Sequence, residues 1–304
     1  MATATHQPAP PTKPADHTPN RQSLLSLWHL LSLEAPTVAT LWTWFIASAN
    51  HIRLPFSSTL AMSIAVWMLY AADRLLDARL LDARYPAEED LEARHYFHHR
   101  HRTTFLTGIV LASISLAILL PRLAPQAIHL YLILGVLLAG YFILIHVTAS
   151  LISGRTTHRL PKEIAVGIFF AAATFIPTVA RRPDLRLPLL PAALLFAILC
   201  SLNCLFIYAW EHPAPHVPSR AHATTRLALR HLPFLSITIL TASAILICLT
   251  QNRQPPWPIP FACALSALFL LLLHRRRHTL APITLRAAAD LALITPLLFL
   301  PFLK

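Results

Sequence analysis

Nine long apolar runs dominate the chain, and short polar stretches separate them. They lie near residues 35–51, 54–72, 103–120, 127–150, 161–180, 189–209, 231–250, 257–273 and 283–302. Each run is continuous and close to the roughly 20 residues that a helix needs to cross a bilayer. A lipid-facing barrel would instead show alternating segments of about ten residues. The pattern predicts an all-α integral membrane protein, a nine-helix transmembrane bundle. The ninth run is the weakest, because it carries Asp290, Pro296 and Pro301. Residues 22–34, which include SLLSLWHLLSLE, read as an amphipathic lead-in near the interface. Residues 1–21 are polar, hold five Pro, and lack an apolar stretch followed by a small-residue cleavage site. They are expected to be a disordered cytoplasmic tail, leaving 22–304 as a single transmembrane domain.

Composition agrees. Of the 304 residues 56% are hydrophobic and 12% charged, against about 45–50% and about 25% in an ordinary soluble domain. That excludes disorder, a disulfide scaffold and a simple cytosolic enzyme. The net charge is +12, and its distribution sets the orientation. With the N-terminus in the cytoplasm, seventeen of the 25 Lys and Arg residues fall in the tail, 73–102, 151–160, 210–230 and 274–282, counting Lys162 at an edge. Seven fall on the other side, and Arg286 lies inside the last run. The positive-inside rule therefore expects a cytoplasmic N-terminus and a multi-pass protein of the cell (inner) membrane. The basic excess is a membrane signature, and no nucleic-acid partner is expected. Cys200, Cys204, Cys248 and Cys263 lie in apolar stretches without zinc or disulfide spacing and read as packing residues. With five Gly, no phosphate-cradling loop exists and glycine-zippered helix packing is not expected.

Charge is scarce at membrane depth, so its position is informative. The second run closes as VWMLYAADRLLDARLLDAR. Asp73 and Asp77 are four residues apart, on one face of a continuing helix, with Tyr70 one turn earlier. Two carboxylates at a bundle mouth can hold Mg²⁺, which keeps several waters and bridges to phosphates. The alternative is a helix leaving the membrane with its Asp and Arg residues in water.

The runs, the cytoplasmic N-terminus and the Asp pair closing the second span resemble the UbiA superfamily of intramembrane prenyltransferases. Members carry N-D-x-x-D-x-x-x-D after the second helix. Asp73 and Asp77 match its last two Asp, while Leu69 and Tyr70 stand at its first two positions. LPKEIAVGIFFAAATFIP, opening the fifth span, is also similar to the family. A second Asp-rich motif follows the sixth helix in the family; here SLNCLFIYAWEH offers Asn203, Tyr208 and Glu211 and no Asp. The resemblance implies transfer of a polyprenyl group from an isoprenoid diphosphate to an apolar or aromatic acceptor, assisted by Mg²⁺ on Asp73 and Asp77. It implies that Lys162, with Arg155 or Arg159, neutralises the leaving diphosphate; obedience to the positive-inside rule explains the two Arg equally. Asn203 and Glu211 would stand where the second metal motif sits, or would serve as a helix-packing amide and a solvated helix end.

Other features are read more plainly. RHYFHHRHR, residues 94–102, places His95 and His99 one turn apart, but headgroup or diphosphate contact is preferred to a metal centre. Arg286 and Asp290, four apart, read as an intrahelical ion pair without chemistry. Glu34 is expected to cap the first span or line a cavity mouth. Trp42, Trp44, Phe45, Trp67 and Tyr70 could line an apolar tunnel or serve as interfacial belt residues. Two other classes stay open: a non-catalytic lipid- or partner-binding protein on the same fold, and a transporter, which the lack of a visible inverted repeat disfavours.

Overall fold

A bilayer supplies no hydrogen-bond partners, so an apolar chain must satisfy its backbone internally, and this one does so with helices. The computed structural model describes residues 27–28, 30–82, 97–98, 100–151, 162–211, 223–249 and 255–302. The side chains of 77–82, 142, 144–151, 223, 282, 283 and 302 fall outside that description. The described residues form an all-helical structure without a strand. The helices are α1 (Glu34–Ala49), α2 (Phe56–Asp82), α3 (Arg102–Leu119), α4 (Pro125–Leu151), α5 (Lys162–Arg181), α6 (Arg186–Glu211), α7 (Ala223–Arg230), α8 (Leu232–Leu249), α9 (Pro258–Arg275) and α10 (Pro282–Leu291). A 3₁₀ segment, Thr295–Phe302, follows. Pro at the start of α4, α9 and α10 fits the first helical turn, where no N–H is needed.

Among the described residues six helices are long and apolar enough to cross a membrane, or seven crossings if the bent pair Thr284–Leu291 and Thr295–Pro301 counts as one. This is a multi-pass membrane architecture. Leu111, Ile114 and Ile118 on α3, Leu132 and Val136 on α4, and Phe234 and Ile245 on α8 are all exposed. So large an apolar surface belongs in lipid. Helix α1 is different. Its 16 residues span about 24 Å, short of the roughly 30 Å hydrocarbon core, and most of it is buried. Trp42, Phe45 and Ile46 are wholly enclosed. Trp42 packs on Phe196 with ring centroids 4.2 Å apart, and Phe45 on Phe299 at 5.4 Å.

The predicted weakness of the last run is a real break. The chain bends by 43° between α10 and the 3₁₀ segment, where Pro296 cannot donate a backbone hydrogen bond. The break is stitched by side chains from elsewhere. The Trp42 indole Nε1 donates to the Leu293 carbonyl at 2.7 Å, and Thr295 Oγ1 donates to the Ala262 carbonyl at 3.0 Å. Ser266 lies 2.8 Å from the Thr295 hydroxyl. The indole serves a carbonyl at the break, and the two Thr295 bonds fasten its side chain to α9.

Helices α5 and α6 make the most extensive contact in the bundle. A side chain at Gly167 would stand 2.1 Å from Ser201 Oγ and 2.4 Å from the Ala197 carbonyl oxygen. One glycine facing one serine thus lets the two backbones approach, and no zipper is required. The lead-in also packs inward where it is described: Leu30 and Ser32 are buried, and Trp67 Nε1 donates to the Leu31 carbonyl at 3.1 Å.

Gly167→Leu is expected to lose at least about 2 kcal/mol, at the upper range of overpacking effects, and to appear as a fall in thermal midpoint and in monomeric yield. Gly135→Ala and Gly140→Ala, which have open space around them, are the controls and should unfold with the wild type. Trp42→Phe keeps the ring but orphans the Leu293 carbonyl. It is expected to cost about 1–3 kcal/mol in a denaturant titration of the purified protein.

Candidate functional site

Five helices bring their polar residues to one end of the bundle. The start of α1, the latter part of α2, the start of α5, the end of α6 and the middle of α10 meet around a cavity of about 240 Å³. It is lined by Glu34, Tyr70, Arg74, Lys162, Glu163, Asn203, Tyr208, Glu211, Arg286 and Asp290, with Ala35, Val166, Cys204 and Ile207 between them. The helical repeat explains the grouping. Asn203, Ile207 and Glu211 follow at intervals of four on α6, as do Tyr70 and Arg74 on α2 and Arg286 and Asp290 on α10.

Ion pairs at this end fall into two kinds. Arg74 Nη2 lies 3.6 Å from Glu34 Oε1, and both side chains are nearly enclosed, at 9% and 4% exposure. Removing either partner leaves a buried charge, which costs about 3–5 kcal/mol, so this pair anchors α1 to α2. Arg286 Nη1 donates to Glu211 Oε1 and ties α10 to the end of α6. Asp73 Oδ2 and Lys162 Nζ are 3.8 Å apart, but their side chains are 37% and 62% exposed. A pair in that setting contributes about 0–1 kcal/mol and opens readily. Lys162 is therefore the cation most easily redirected to an incoming anion.

The remaining polar contacts hold the walls. Asn203 Nδ2 donates to Asp290 Oδ1 at 3.1 Å. Thr225 Oγ1, on α7, donates to Glu163 Oε2 at 3.1 Å. Trp210 Nε1 donates to His274 Nδ1 at 3.0 Å, joining the ends of α6 and α9.

The structure brings together Tyr70, Lys162, Asn203 and Glu211 in this cavity. Asp73 sits beside it on Lys162, and it is Arg74 that shares the lining with Tyr70. Helix α2 continues through Asp77 to Asp82 as expected, but the Asp77 side chain lies outside the described residues, as do Arg155, Arg159, His95, His99 and the 1–21 tail. Arg286 and Asp290 have partners beyond their own helix: Arg286 also reaches Glu211, and Asp290 receives Asn203. Other expectations are corrected. Trp42 and Phe45 line no tunnel, because they fill the apolar core, and Trp67 stacks on Phe105. His98 makes no headgroup contact: it is fully buried, stacked on Phe105 at 4.1 Å, with Nε2 3.2 Å from Ser32 Oγ.

Arg74, Glu163, Arg286 and Asp290 are charged lining residues that the sequence reading left out of the site, and Tyr208 lines it as well. The usable signal was the rarity of charge at membrane depth, which marks Arg286 and Asp290 as firmly as it marks Asp73. Among the described residues no group of three or more His, Cys, Asp or Glu side chains is arranged to hold a metal. No family model matches the chain, and no curated protein or solved structure does either.

Proposed function

We propose that the chain is a UbiA-like membrane prenyltransferase. In this reading it is a nine-helix bundle of the cell (inner) membrane with its N-terminus in the cytoplasm, and it transfers a polyprenyl group from its diphosphate to an apolar or aromatic acceptor. One observation carries the reading: Tyr70, Lys162, Asn203 and Glu211, chosen from three separate runs, share a single cavity at one end of the bundle. The loops on that end are those to which the positive-inside rule assigns the cytoplasm.

The chain's own groups suit a diphosphate. Lys162 exchanges Asp73 for a phosphate oxygen at small cost, as a point charge. Arg74 and Arg286 stand deeper, already bound to carboxylates, and set the positive potential of the inner wall. Ala35, Val166 and Ile207 give the cavity its apolar surface. Mg²⁺ belongs to the reading through Asp73 and Asp77, two carboxylates one turn apart on α2. A pair of this kind fits an ion that keeps most of its waters, and Asp73 is available to it once Lys162 turns to phosphate. Bound there, the ion would neutralise charge on the departing diphosphate.

A second reading is a non-catalytic lipid- or partner-binding protein. It is favoured by the internal matching of charge, since Glu34, Glu211 and Asp73 each already face a cation.

Membranes carrying Asp73→Asn together with Asp77→Asn are expected to lose at least 100-fold in Mg²⁺-dependent pyrophosphate release from a polyprenyl diphosphate supplied with total membrane lipid as the acceptor source. Turnover equal to wild type would sink the mechanism. Orientation has its own test: a reporter enzyme that works only in the cytoplasm, fused ahead of residue 1, should be active, and inactivity would reverse the topology.

A further inference from the structure

Two basic segments flank the end of α6, outside the cavity. Helix α7 packs against α6, and the end of α9 is tied to α6 by the bond from Trp210 to His274. Thr225, Ala228 and Leu229 form the inner face of α7, and Thr225 donates to Glu163 Oε2 at 3.1 Å. Arg226, Leu227 and Arg230 stand exposed on its outer face, the two arginines one turn apart. Helix α8 begins one residue after α7 ends and returns along α9. The start of α8 and the end of α9 therefore lie at the same end of the bundle. There α9 closes on Arg275 and Arg276, both exposed.

These four arginines meet no carboxylate among the described residues. Glu34 faces Arg74, Asp73 faces Lys162, Asp184 faces Arg182 and Glu211 faces Arg286. Glu163 and Asp290 accept from Thr225 and Asn203. The positive-inside rule explains the side of the membrane on which such arginines lie. It does not explain the apolar rows beside them. Leu268 and Leu272 are exposed on α9 and lead along one face to Arg275 and Arg276, at helical spacing. Leu227 lies between the arginines of α7, and Phe234, 66% exposed, follows Arg230 in the first turn of α8. Guanidinium groups above an apolar row match an amphiphile: phosphate oxygens accept paired hydrogen bonds from arginine, and acyl chains cover the leucines and the phenylalanine. A soluble phosphate would leave those rows uncovered.

We propose that α7, the start of α8 and the end of α9 form a binding site for an anionic phospholipid of the surrounding membrane. Arg226, Arg230, Arg275 and Arg276 hold its headgroup, and Leu227, Phe234 and Leu272 take the upper part of its chains. Basic clusters at helix ends recognise anionic headgroups in this way. The opposite face of α7 is bonded to Glu163 in the cavity wall, so the lipid holds α7 against the bundle on that side of the cavity. The inference stands on surface groups and not on prenyl transfer, so it can hold where that reading fails.

The test is native mass spectrometry of the full chain in non-ionic detergent, stripped of lipid and titrated with phosphatidylglycerol or with phosphatidylcholine of the same acyl chains. Wild type should bind phosphatidylglycerol at least tenfold more tightly. Arg226→Gln with Arg230→Gln, and Arg275→Gln with Arg276→Gln, should each reduce that preference at least threefold. Arg122→Gln with Arg181→Gln removes the same charge from the opposite end of the bundle and should leave the preference intact. Glycerophosphoglycerol, the same headgroup without chains, should not displace the lipid at hundredfold excess. Gel filtration and thermal unfolding report folding. Where one glutamine pair fails to fold, the other pair and the wild-type competition decide. Equal affinity of wild type for the two lipids, a preference unchanged in a folded glutamine pair, an equal loss in the Arg122 and Arg181 variant, or displacement by the free headgroup would each overturn the proposal.

Discussion

An ionised side chain that leaves water for an apolar bundle costs several kcal/mol until a counter-charge reaches it. That constraint arranges this molecule. Glu34 begins α1 almost fully enclosed, and it can do so because Arg74 arrives from α2. Arg286 lies a full turn inside α10, and Glu211 at the end of α6 receives it. The first pair fastens consecutive helices and the second joins α6 to the much later α10, so the charges that must be neutralised also decide which helix ends meet. The cavity is the space enclosed by that meeting.

The walls depend on a second, steric condition. At Gly167 the α5 backbone comes close enough to Ser201 and Ala197 that a methyl group has no room. Glu163 is one turn before this crossing and Asn203 half a turn beyond its partner, so the contact places both at the same cavity. On the far side, the short buried α1 carries Trp42 to the carbonyl that the break after α10 sets free. Packing, backbone satisfaction and placement of Asp290 are therefore a single arrangement. A straight last helix would need neither the indole nor Thr295.

The two kinds of ion pair suggest a division of labour. Glu34–Arg74 is enclosed enough to act as a fixed strut, Glu211–Arg286 is partly exposed, and Asp73–Lys162 is exposed enough to exchange partners. A rigid inner wall with a loose cation at the rim is a suitable receptor for an anionic group that must enter and leave.

The apolar runs determined the helical class and the membrane setting, since their length and continuity admit no strand and no soluble core. The pattern on α6 also put Asn203, Ile207 and Glu211 on one face, and the cavity lining agrees. Lys162 was recognisable because it abuts Glu163 at the edge of an apolar run. Partnership was not legible. Periodicity places residues on a face of one helix and says nothing about which helix opposes it, so the spacing of Arg286 and Asp290 gave no sign that they also reach Glu211 and Asn203. Aromatic residues in the first span carried no mark distinguishing core from tunnel. Only packing against Phe196 and Phe299 made them core. Sequence alone decided that charge would be rare and therefore meaningful; the tertiary structure decided which charges meet, because a counter-charge is chosen by distance through the bundle and not by spacing along the chain.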